Sequence, residues 1–77
     1  MIDFTEAMLR IKVVLSEQRK EEKIRDKDVA EALNLDPQYF AVIKKRKKIP
    51  YAHLAYFCQT FKVNLNWVLL DEKPQYL

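Results

Sequence analysis

The chain has seventy-seven residues, a formal charge of +3, no glycine and one cysteine. A single small domain of that length is too short to enclose a substrate pocket and catalytic machinery in its own core, so a binding module is expected and an enzyme is not. The apolar fraction of 49% belongs to a folded domain rather than a disordered one. Cys58 has no partner for a disulfide, and no second thiol stands at metal-ligand spacing from it or from His53, so no metal, cofactor or small-molecule substrate is expected and a reducing, cytoplasmic setting is.

The chain opens MIDFTE, with neither a basic segment nor a long apolar run behind it, so neither export nor membrane insertion is indicated. Asp3 reads as the N-cap of a first helix, Phe4 to Arg19, with Phe4, Met8, Ile11 and Leu15 along one face. Leu9, Val13 and Val14 are expected to widen that face, with Glu6, Arg10, Lys12, Glu17 and Gln18 toward water. The charged run Arg19 to Lys23 marks a loop.

A second helix opens at Arg25 or Asp26 and turns Val29, Ala30 and Leu33 inward, with the small Ala30 at the place where two helices cross closely. Asn34 follows, and in a chain without glycine it is the residue best suited to the positive φ of a tight turn. Asp36 caps a third helix and Pro37 takes its first position. Phe40 and Ile43 point to the core, which leaves Gln38, Ala41, Val42 and Lys45 on the opposite side, flanked by Tyr39 and Arg46. A fourth helix is expected from Pro50 to Phe61, with Leu54, Phe57, Cys58 and Phe61 inward. Asn64 caps a short fifth, in which Leu65, Val68 and Leu69 close the core and Trp67 covers its edge or meets a partner. Residues 1–71 form the domain, and residues 72–77, with a proline and no periodicity, read as a tail or the start of a linker.

The charge is unevenly placed. From Pro37 to Leu70 there is no acid, while Lys44, Lys45, Arg46, Lys47, Lys48 and Lys62 are all basic, an arrangement whose field attracts polyanions. Five adjacent cations repel one another, so the favourable helix dipole of about 0.3 to 1 kcal/mol per cation does not account for the run; phosphate neutralisation does. The succession from Asp26 to Lys48 is thus the outline of a helix-turn-helix with a basic exit.

In its Val29, Ala30, Leu33, Asn34, Leu35, Phe40 and Ile43, the chain resembles the helix-turn-helix of phage repressors and the wider xenobiotic-response-element regulators. Asn34 stands where the family usually has glycine. Lys48-Ile49-Pro50 and Val63-Asn64-Leu65-Asn66-Trp67-Val68-Leu69 are similar to the basic-proline junction and final helix of CI-type repressor N-terminal domains, and the resemblance spans residues 23–71. It implies an all-α, compact five-helix bundle, a lambda-repressor-like DNA-binding domain, often dimeric on its operator, in a bacterial or phage-encoded protein of the nucleoid. Whether the chain is a fragment of a longer repressor or a small regulator on its own stays open.

On that expectation the third helix lies in the major groove of double-stranded DNA. Gln38 would take adenine by two hydrogen bonds, Ala41 and Val42 thymine methyls, Tyr39 a base or phosphate, and Lys45 or Arg46 guanine or backbone. Lys27, Lys44, Arg46, Lys47 and Lys48 would meet phosphates, although Asp26 and Asp28 beside Lys27 weaken its claim. A homodimer would use Trp67 and Leu70, with Tyr76 or Leu77 beside them, and read half-sites about 34 Å apart. Each assignment has a plainer alternative: Ala41, Val42 and Tyr39 packing on a neighbouring element, and the lysine run a solvated face. A protein-interaction module of antitoxin or adaptor type would reuse the same face for another protein, and RNA binding is disfavoured by the few aromatics left for stacking.

Overall fold

The helix boundaries follow from which side chains can satisfy the free backbone groups at each end. In the computed structural model, which describes residues 1–77, five helices succeed one another: α1 (Phe4–Arg19), α2 (Asp26–Ala32), α3 (Pro37–Arg46), α4 (Tyr51–Phe61) and α5 (Leu65–Leu70). The Asp3, Asp36 and Asn64 side chains accept from the N–H groups of Glu6, Gln38 and Asn66 at 3.1, 2.7 and 3.1 Å, caps worth about 1 kcal/mol each. α2 starts differently, on the carboxylate of Asp28, which accepts from the Arg25 N–H at 2.9 Å. Pro50 is the residue before α4 rather than its first, one position from expectation.

Every helix is followed by a residue in the left-handed region, and none of the five is glycine: Lys20 (φ 57°), Asn34 (58°), Lys47 (54°), Lys62 (59°) and Asp71 (59°). The gain is hydrogen bonding. Beyond these residues the N–H groups of Glu21, Leu35, Lys48 and Val63 donate back to Ser16, Ala30, Ile43 and Cys58 carbonyls at 3.2, 2.8, 2.9 and 2.9 Å, satisfying groups the helices leave free. Lysine carries no turn signal of its own, so Lys20, Lys47 and Lys62 could not be foreseen as Asn34 could.

Eighteen buried residues, all apolar, make one core. α1 contributes Phe4, Ala7, Met8, Ile11, Val14 and Leu15. Leu9 and Val13 do not join them, contrary to expectation, and are 55% and 43% exposed. At 100° per residue each lies about 160° from Ile11, on the far side of the helix, so apolar character alone misplaced them. Arg10 departs from expectation in the opposite sense: it is half-buried, its Nη1 donates to the Val68 carbonyl at 2.9 Å, and Asp71 and Glu6 each lie 3.9 Å from it. A cation thereby sits at the C-terminal end of α5, where the helix dipole favours it. Val68 is fully buried, whereas Leu65, Leu69 and Phe61 are only partly so. Ile24, in the stretch after the charged loop, is also buried.

Residues 72–77 fold back on the bundle. The Asn64 N–H donates to the Gln75 carbonyl and the Leu77 N–H to the Lys62 carbonyl, both at 2.8 Å, around a single antiparallel bridge between Val63 and Tyr76. Tyr76 Oη and Gln75 Nε2 both donate to Glu17 Oε1, at 2.6 and 3.0 Å, which ties the segment to α1. These contacts could not be read from a stretch without periodicity, because their partners are backbone groups of the link between α4 and α5 and one side chain, Glu17, far off in sequence. No helix is long and apolar enough to cross a membrane.

Candidate nucleic-acid interface

Two buried side chains set the rotation of α3. Phe40 and Ile43 are 4% and 3% exposed, three residues apart on one face. Gln38, Tyr39, Ala41, Val42 and Lys45 consequently face outward, all exposed, with Arg46 beside them. Tyr39 and Val42 are 50% and 45% exposed, so no element of the chain covers them. At 1.5 Å per residue the helix is about 15 Å long and presents a row of one amide, one phenol, two small apolar groups and one ammonium.

The connection before it and α3 itself are both fixed to the rest of the bundle. Leu33 and Leu35 are buried on either side of Asn34, whose N–H donates to the Glu31 carbonyl at 3.0 Å. Phe4 of α1 meets Phe40 with ring centroids 6.3 Å apart. From α4, His53 Nδ1 lies 2.9 Å from the Leu33 carbonyl, an acceptor, so Nδ1 carries the proton and donates. His53 therefore fastens α4 to the turn between α2 and α3. Its role was not legible in the sequence, where it stood alone among apolar residues.

The basic residues fall into two groups. Lys44 Nζ is ion-paired with Asp26 Oδ2, and Lys12 Nζ lies 3.1 Å from Oδ1 of the same carboxylate. The hydrogen bond from Lys44 is the chief reason the Asp26 carboxyl is held below its ordinary value of 3.8; partial desolvation opposes it and Lys12 adds to it. Lys27, Lys45, Arg46, Lys47 and Lys48 are exposed, and none has a carboxylate within 4.0 Å. Lys47, in its left-handed turn, ends α3 and lines a groove against α1 with Phe4 and Lys12, and Lys48 follows it. Asp28, beside Lys27, is engaged with the Arg25 N–H and, at 3.3 Å, with Arg19. Its carboxyl is lowered first by the former and then, against some desolvation, by the latter. A groove of about 410 Å³ between α2 and α3 is lined by Asp26, Lys27, Ala30, Pro37, Phe40, Ala41, Lys44 and Lys45.

The remaining expected positions are dispersed. Trp67 is partly buried against the core, and Leu70, at the end of α5, is 45% exposed. Tyr76 is held by Glu17 and partly buried, which raises its phenol above the ordinary tyrosine value, desolvation being the larger cause. Leu77 is exposed. Cys58 is buried, and burial pushes its thiol up to about 11. No three of the His, Cys, Asp and Glu side chains converge as metal ligands would. Compared with family models, curated proteins and solved structures, the chain has no match.

Proposed function

We propose that the chain is a sequence-reading DNA-binding domain, a helix-turn-helix transcription regulator of repressor type, in which α3 enters the major groove and the basic exit grips the flanking phosphates. The observation that carries the reading is a conjunction: the outer face of α3 is uncovered and free of acids, and it runs directly into four exposed cations without carboxylate partners, Lys45, Arg46, Lys47 and Lys48. A major groove about 12 Å wide admits a helix, and its base edges offer partners to that face. Gln38 has the two-pronged amide that suits adenine, Ala41 and Val42 suit thymine methyls, Tyr39 a base or phosphate, and Lys45 guanine. Lys27, Lys44, Arg46, Lys47 and Lys48 then serve the backbone. An operator with two-fold symmetry would be read by a dimer joined through Leu70 and the exposed edge of Trp67.

The same half-exposed Tyr39 and Val42 also favour a second reading, docking of another protein on α3. Selection of bound duplexes from a random pool at two salt concentrations separates the two. A consensus that weakens steeply with salt supports DNA reading, and Gln38→Ala should then lose preference at one base pair by about 1 to 3 kcal/mol. Absence of any enriched sequence, with duplex binding no better than that of a basic peptide of equal charge, refutes it.

A further inference from the structure

Asp26, on α2, touches two lysines on two other helices, Lys12 of α1 and Lys44 of α3. Without Lys44, α1 is still joined to α2 by Lys12 on Asp26 Oδ1 at 3.1 Å and by Arg19 on Asp28 at 3.3 Å, and to α3 by the Phe4–Phe40 contact. The second contact occupies Lys44, the one member of the five-cation exit that has a carboxylate partner. We infer that Asp26 is a specificity-setting residue. It holds the Lys44 ammonium in place of phosphate, and releases it only where a duplex seats closely enough for a phosphate oxygen to take the carboxylate's position. The inference rests on the DNA-binding reading above and deepens it.

Three features make the exchange feasible. The Asp26 and Lys44 side chains are 42% and 56% exposed, so the pair is open to solvent and weakly held. Both residues line the groove between α2 and α3 and also the smaller one, about 260 Å³, between α1 and α3, so Lys44 stands at the rim where the two meet. Lys12 binds the other carboxylate oxygen, so Asp26 keeps a counter-ion when Lys44 leaves. A phosphate oxygen and a carboxylate oxygen accept the same charge-assisted bond, which makes the swap one of like for like. On a random duplex, held loosely by charge, Lys44 stays with Asp26. On the correct sequence, base contacts bring the backbone within reach and Lys44 adds to the grip. Asp26 thereby widens the gap between specific and non-specific affinity.

The test uses the full chain and a random-sequence duplex, with affinity measured across a range of salt for the wild type, Asp26→Asn, Lys44→Met and the double variant. Asp26→Asn should bind the random duplex about fivefold more tightly, with a salt slope steeper by about 0.9. Lys44→Met should cost about fivefold more in the Asp26→Asn background than in the wild type. Equal losses in both backgrounds, or a gain from Asp26→Asn that survives Lys44→Met, overturn the inference. A second measurement needs no variant: the Asp26 Cγ signal is titrated in the wild-type protein alone, with random duplex, and with the selected one. Any bound duplex raises this midpoint by its own charge, so the rise should be larger on the selected duplex than on the random one, and equal rises on the two overturn the inference even should Asp26→Asn fail to fold. Tight sequence-dependent binding without this coupling leaves the DNA-binding reading intact, whereas failure of the wild type to bind any duplex removes both.

Discussion

Replacing Lys47 and Lys48 by glutamine removes two cations that have no carboxylate partner. Each phosphate neutralised adds about 0.9 to the slope of log affinity against log salt on B-form DNA, so the double variant should lose about 1.8. Between about 50 and 200 mM salt, a fourfold change, the wild type should weaken about twelvefold more than the variant. The fold should be indifferent to the change. Lys47 already sits at φ 54°, a cost glutamine shares, and the bond from Lys48 to the Ile43 carbonyl uses the backbone N–H. Fluorescence anisotropy of a labelled duplex across that salt range, with thermal melts as a control, reads both quantities. The loss of affinity should be the same for every duplex sequence, because phosphates carry no sequence. An unchanged slope with an unchanged melt would refute the reasoning and leave the run a solvated surface.

Three further outcomes follow from the geometry. Lys62→Gly should stabilise the fold by about 0.5 to 1 kcal/mol in urea melts, since φ is 59° there and removing the β-carbon relieves more than the added chain entropy costs. Asp26 and Asp28 both have carboxyls lowered from 3.8, so each stabilises the folded state fully above that value and loses its contribution as pH falls through the lowered one. Stability should therefore decline below about pH 4, and less so in Asp26→Asn. Cys58, pushed up to about 11 and buried, should react with a thiol reagent at about pH 8 on the order of a hundredfold more slowly in the folded protein than in denaturant.

The elements were legible wherever one residue type has one job. Asp3, Asp36 and Asn64 announce helix starts, Pro37 a first turn, and the spacing of Phe40 and Ile43 the inward side of α3; the structure agrees at each. The outward side of α3 was legible for the same reason, as the complement of two buried side chains. What escaped were interactions whose partners lie far off in sequence. The Lys44 to Asp26 pair spans eighteen positions, His53 to the Leu33 carbonyl twenty, and Arg10 to the Val68 carbonyl fifty-eight. None of these residues has a local pattern that names its partner. Leu9 and Val13 differ for another reason: both are apolar, yet their angular position on α1 turns them away from the core.

The five left-handed corners have a last consequence, for which substitutions the surface tolerates. Lys20, Asn34, Lys47 and Lys62 are exposed, as is Asp71, and exposure alone would mark all five as free to vary. A valine, isoleucine or threonine at any of them would crowd the backbone in a conformation such residues almost never adopt, and a proline could not adopt it at all. These solvent-facing sites are consequently intolerant of branched side chains for a reason of backbone conformation rather than of packing.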